Sequence, residues 1–255
     1  MEKWEKALHK FLKEWIDRND VIAALVCGSY VTGNPTKRSD IDVHILLSDE
    51  ANWRERGNKQ IDKYLIEYFV NPPRQIRQYF QEDFRDHRTM SMVQFLTGQV
   101  LFDKTGVIEE LKREAQEWIN KKHEKPNYIL QEIKKYGIWD TCDNLQDCYE
   151  QQSPDFYLIY YHSLSNLFNQ YCLYLGLELI PPYQILSYLK NTDFKEKYLK
   201  DTFPDTEFSN MFIKAIEQKE NLEMINNYKQ LSKYVLDKMG GFDIDGWKII
   251  SSVEI

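Results

Sequence analysis

No stretch of this sequence approaches the roughly 18 to 20 consecutive apolar residues that a membrane-crossing helix needs, so no membrane partner is expected. A basic excess is missing too: 33 Lys and Arg stand against 40 Asp and Glu, a formal net charge of −7. Broad binding to nucleic acid draws on many cations to release counterions, so no nucleic-acid partner is expected either. A small cationic or neutral substrate, or a nucleotide held through a metal ion, suits this balance better. The four cysteines, Cys27, Cys142, Cys148 and Cys172, contain no C-x-x-C pair. The opening "MEKWEKALHKFLKEWIDR" is too charged for the apolar region of a secretory signal. Together these point to a reducing, cytoplasmic setting. Histidines are scattered singly, so no zinc-type cluster is suggested. There is no internal repeat and no low-complexity tract.

What is present is a chain of 255 residues, 42% hydrophobic and 14% aromatic, enough for one large domain or two small ones. Trp4, Leu8, Phe11, Leu12, Trp15 and Ile16 recur at helical spacing. "VIAALVCGS" reads as a short buried strand closed by Gly28 and Ser29, and "YVTGNPTKRS" as a loop. "DIDVHILL" is the next strand, with Ile41, Val43 and Ile45 on one face and Asp40, Asp42 and His44 on the other. Residues 50 to 60 are polar and read as a connection. "KYLIEYFV" is a third strand with Leu65, Glu67 and Phe69 on one face, ended by "NPP". From Arg74 onward the pattern is helical, with "TGVIEELKREAQEWINKKHEK" an amphipathic helix. Pro126 marks the domain boundary, and long helices are expected over 127–150, 154–176, 183–198 and 207–239. The plan is a mixed α/β half, 1–122, followed by a helical half, 123–255.

Two carboxylates at i and i+2 on a strand repel one another unless a divalent cation or a proton intervenes. Mg²⁺ is the natural occupant, because it takes hard oxygen ligands and keeps waters and phosphate oxygens. Glu67, on the neighbouring strand, is the candidate third carboxylate, with Asp62 a nearby competitor. The Gly28-Ser29 turn offers close backbone approach and N–H groups for a triphosphate. On the other side, a lone D-x-D at a strand start is often a solvated edge or a turn cap, and a mid-strand Glu can simply face water.

The stretch "GSYVTGNPTKRSDID" resembles the signature of the nucleotidyltransferase superfamily that includes DNA polymerase β: Gly-Ser, about ten residues, then Asp-x-Asp. Gly33 and Ser39 also match its small bacterial members, and the layout of the chain is similar to that of kanamycin and other aminoglycoside nucleotidyltransferases. The motif with Glu67 covers about the first 70 residues; beyond it only the layout matches. The resemblance implies an α+β fold, with a short mixed sheet and helices in the catalytic domain and an all-helical C-terminal domain. It implies Mg²⁺ on Asp40, Asp42 and Glu67, and contacts from Gly28, Ser29, Ser39 and Lys37 to ATP or another NTP. The implied activity is transfer of AMP to a hydroxyl of a small acceptor such as an aminoglycoside, with an antibiotic-resistance role. An antitoxin-like transfer of AMP to a protein, or a nucleotide-binding regulator without turnover, are the alternatives. A homodimer with shared sites also follows from the resemblance.

Lys37 and Arg38 equally fit a solvated basic pair, and His44 fits an ordinary hydrogen-bonded strand histidine. The second D-x-D, Asp243 and Asp245 in "MGGFDIDGW", lacks a preceding Gly-Ser turn and reads as a terminal loop or short strand. In such enzymes a general base lies on the helical domain. Asp140, Asp143 and Asp147 share a helix face there, and Asp143 is the candidate, although a solvent-facing acidic stripe explains the spacing as well. No Glu with a nearby Lys stands out in that region. The aromatic run "DFYLIYYHSLSNLFNQYCLYL" reads mainly as helix packing.

Overall fold

The computed structural model describes residues 2–250 and Val253. The chain forms two compact units, one running through Lys121 with Lys197–Leu199, the other from Lys122 through Glu196 and from Lys200 onward.

The first unit is a five-stranded mixed sheet with helices on both faces. Its elements are α1 (Lys3–Leu12), β1 (Val21–Cys27), α2 (Ser29–Thr32), β2 (Ile41–Leu47), β3 (Glu55–Ile61), β4 (Tyr64–Asn71), α3 (Pro73–Arg85), α4 (Met90–Thr97), β5 (Gln99–Asp103) and α5 (Val107–Ile119). The sheet order is β3-β4-β2-β1-β5, with β2 parallel to β4 and the other neighbours antiparallel. β1 and β2 lie inside and are apolar almost throughout, as a strand covered on both faces requires. One sheet face, with Val26, Val43, Ile45 and Ile66, packs on Leu8, Phe11 and Leu12 of α1. The other, with Leu25 and Leu46, packs on Phe80, Phe95 and Leu111 of α3, α4 and α5. Glu2 and Glu5 start α1 with a reciprocal capping box. Pro72 and Pro73 end β4 and open α3, where a missing N–H costs nothing.

Four expectations are corrected. Residues 55–61 are not a connection but β3, an edge strand whose polar residues satisfy one side with β4 and leave the other to solvent. The helical stretch after Arg74 is interrupted by β5, which follows Gly98; a Cβ there would stand 2.5 Å from Leu25 Cδ2, so a glycine lets the chain turn back against β1. The expected loop after Gly28 begins with the one-turn helix α2. The single helices expected over 183–198 and 207–239 are each broken.

The second unit is helical: α6 (Tyr128–Glu150), α7 (Phe156–Leu175), a 3₁₀ turn (Pro182–Gln184), α8 (Ile185–Lys190), α9 (Thr192–Lys197), α10 (Thr206–Glu217) and α11 (Asn221–Lys238). The aromatic run is α7, and Tyr160, Phe168 and Tyr171 from it join Phe208, Phe212 and Tyr228 in the core. Extended residues at Asn191 and Gln218 make the breaks, and Glu220 caps α11 by accepting from the N–H groups of Leu222 and Glu223. The segment with Asp243 and Asp245 is irregular, and Trp247 stacks on Tyr136 of α6 at 4.5 Å. No described helix is long and apolar enough to cross a membrane.

Candidate active site: three carboxylates at the end of two parallel strands

The parallel register of β2 and β4 sets Asp42 beside Glu67 and His44 beside Phe69. Neighbouring strands lie about 4.8 Å apart, so these side chains leave the sheet from one face as adjacent pairs. Asp40, two residues before Asp42, adds a third carboxylate. One oxygen from each of Asp40, Asp42 and Glu67 lies within 4.8 Å of the other two, and all three residues are half-buried. Such an all-oxygen, triply anionic set fits a hard divalent cation such as Mg²⁺ or Mn²⁺.

The cluster is electrostatically costly when nothing neutralises it. Burial first, then the charges of Asp40 and Glu67, push the Asp42 carboxyl up to about 7, and Arg56 offsets part of the rise. Gly28 makes room for this carboxylate. Its φ is +76°, which an L side chain rarely adopts, and a Cβ there would stand 2.1 Å from Asp42 Oδ2. Cys27, opposite Asp42 on β1, is fully buried, and burial with the Asp42 charge pushes its thiol up, so it is no nucleophile.

The loop between β1 and β2 is held by its own polar groups. The Gly28 carbonyl accepts from the N–H groups of Val31 and Thr32, and that of Ser29 from Gly33 and Asn34. The Ser39 hydroxyl accepts from the Thr36 N–H at 2.9 Å and so closes a turn. Lys37 and Ser39 line a cleft of about 840 Å³ with Trp4, Tyr30, Lys63 and Tyr64. The three carboxylates do not line it. Asp62 stands apart from them, paired with Lys10 at 3.0 Å.

His44 is buried and contacts Gln94 Oε1 through Nε2 at 3.3 Å, while its ring stacks on Phe69 at 5.1 Å. Burial lowers its pKa to about 4 despite the Gln94 contact, so the ring is neutral. Its place is in the packing beneath the cluster.

Two features went unseen in the sequence. Arg56 on β3 directs Nη2 and Nε to Glu67 Oε1 at 2.6 and 3.1 Å. In the second unit, Glu132 and Lys135 of α6 pair at 2.6 Å with both side chains largely buried. The two stand three residues apart on one helix face, and that spacing is the pair's only mark in the sequence. Asp143 is exposed on α6, Asp140 accepts from Asn144, and Asp147 accepts from Gln151.

The chain belongs to the nucleotidyltransferase domain family, whose model matches residues 8–149, and is thus an enzyme of the nucleotidyl-transfer class. The match covers every element that carries the three carboxylates. Among solved structures, it is similar to the nucleotidyltransferase-like protein from Exiguobacterium sibiricum 255-15, at 9% identity and a TM-score of 0.45, over 92% of this chain and 75% of that one. No curated protein matches.

Proposed function

We propose that the protein transfers a nucleoside monophosphate, AMP from ATP, to a hydroxyl of a small acceptor of the aminoglycoside kind and releases pyrophosphate. The supporting observation is the convergence of Asp40, Asp42 and Glu67 on one point in a member of the nucleotidyltransferase domain family. In this reading the three carboxylates hold Mg²⁺. The bound ion supplies positive charge against the phosphate oxygens and the departing pyrophosphate. Gly28 and Ser29, at the turn from β1 into α2, sit against the triphosphate.

The acceptor oxygen bonds to the α-phosphorus, the bond to the bridging oxygen breaks, and pyrophosphate leaves with the electron pair. The hydroxyl proton passes to a general base, for which Asp143 is the candidate that the family resemblance offers. Lys37 and Ser39, which line a cleft beside this loop, contact the nucleotide in the same reading. An acidic chain with a net charge of −7 suits a polycationic acceptor.

The test is mass spectrometry of acceptors incubated with protein, each NTP and Mg²⁺. A gain of one nucleoside monophosphate on an aminoglycoside supports the reading. The same gain on a co-purified protein, with none on any small alcohol, replaces it with protein modification.

A further inference from the structure

Arg56 is the one cation the structure joins by hydrogen bonds to the carboxylate cluster among the described residues, and the way it is held is specific. It lies on β3 opposite Phe69, diagonal to Glu67 on the same sheet face. Its guanidinium carbon stands 4.8 Å from the Phe69 ring centroid, and Phe69 in turn stacks on His44 with an interplanar angle of 22°. His44 packs on Phe95 at 5.0 Å. A row of planar groups thus runs from the core out to Phe69, with the Arg56 guanidinium against its outer end. Both N–H contacts end on the same oxygen, Glu67 Oε1. The other carboxylate oxygen makes neither contact.

We propose that Arg56 is a positioning residue for the metal site: it clamps Glu67 by Oε1, so that Oε2 is turned to the ion as the third ligand. This rests on the reading that Asp40, Asp42 and Glu67 hold a divalent cation. Carboxylates that bind metals are themselves oriented by hydrogen bonds from groups behind them. Lysine cannot substitute, because a single ammonium has no planar fork to meet an oxygen twice while stacked on a ring. Three ionised carboxylates and one guanidinium also leave the charge that one divalent ion neutralises. The Arg56 side chain is 70% exposed and Glu67 only 19%, so Arg56 serves the buried partner more than the fold.

The alternative role, a counter-charge that competes with the ion for Glu67, predicts the opposite sign. Mn²⁺ titrated into nucleotide-free protein, with the free ion followed by electron paramagnetic resonance, separates the two. Positioning predicts that Arg56→Lys weakens Mn²⁺ binding by about tenfold or more, although charge is kept. Arg56→Met should also weaken it, although a repelling charge is gone. Unfolding midpoints measured alongside should stay near wild type, since β3 is a solvent-facing edge. Mn²⁺ binding that is unchanged in Arg56→Lys, or tighter in Arg56→Met, overturns the proposal. Asp42→Asn serves as the control: if it binds Mn²⁺ as the wild type does, or if the wild type takes up none, the metal reading itself fails and the role of Arg56 goes with it.

Discussion

The Asp42 carboxylate occupies the space that a side chain on Gly28 would fill, with 2.1 Å between its Oδ2 and the position of a Cβ. The glycine of the Gly-Ser turn is therefore needed for the aspartate as much as for any phosphate. Gly28→Ala should cost stability through the positive φ, about 1–3 kcal/mol, and should also push Asp42 away from Asp40 and Glu67. Urea unfolding reads the first effect and Mn²⁺ binding the second. A variant that loses stability while binding Mn²⁺ normally would separate Gly28 from the site.

Asp42 ties stability to pH. Its folded value of about 7 lies above the ordinary 3.8, so the folded state holds the proton more tightly. Stability from this group is complete below about pH 4 and is lost as pH rises through 7. His44 acts oppositely between about 4 and its ordinary 6.5, so the clean window is pH 6.5 to 8. There the metal-free protein should lose stability with rising pH. Asp42→Asn should abolish the slope, and at pH 8 it should be more stable than wild type by roughly 1–3 kcal/mol, allowing for solvent screening. The same substitution should lower turnover by more than about 100-fold, beyond what an outer-shell change costs. Thermal melts of both proteins across that window check the sign.

Metal and proton compete for the same carboxylate, so Mg²⁺ should stabilise the protein more at pH 8 than at pH 6. Chelation by EDTA should return the melting point to the metal-free value. Equal stabilisation at both pH values would mean that the ion binds elsewhere.

In the helical unit, Asp205 caps α10 through the Phe208 N–H and accepts from the hydroxyls of Tyr171 at 2.6 Å and Tyr234 at 2.9 Å. Removing it leaves a cap and two phenols without their acceptor. Asp205→Ala should cost about 2–4 kcal/mol, measurable by urea unfolding, while Mn²⁺ binding to the first unit stays unchanged.

Asp143 as the general base has a kinetic signature. Loss of the true base should lower kcat by about 10² to 10⁴ with little change in acceptor KM. Asp143→Asn, assayed over a pH series, shows whether this carboxylate carries the acidic limb.

The carboxylate triad was legible because β2 and β4 announce themselves: apolar residues alternate with Asp42 and Glu67, and a fixed Gly-Ser to Asp-x-Asp spacing precedes them. Arg56 was not legible, because its strand reads "ERGNKQI", polar on both faces. An edge strand shows no apolar alternation, and only pairing with β4 makes it a strand. β5 is five residues long and sits between two helices, so its short apolar core merged with theirs. The break between α10 and α11 depends on the Glu220 cap, a local hydrogen-bond choice inside a run of good helix formers. The Glu132–Lys135 pair was hidden for another reason: helical spacing marks neighbours, but burial makes this pair distinctive, and burial is set by the fold.

The most direct measurement is pyrophosphate release from each of the four NTPs with Mg²⁺, across aminoglycosides and other small alcohols, with Asp40→Asn and Asp42→Asn as blanks. Release that requires an acceptor and Mg²⁺, and is absent from both blanks, is the expected result. Release that persists undiminished in the blanks would contradict the role of the carboxylates, and silence from wild type that still binds ATP would contradict transfer to a small hydroxyl.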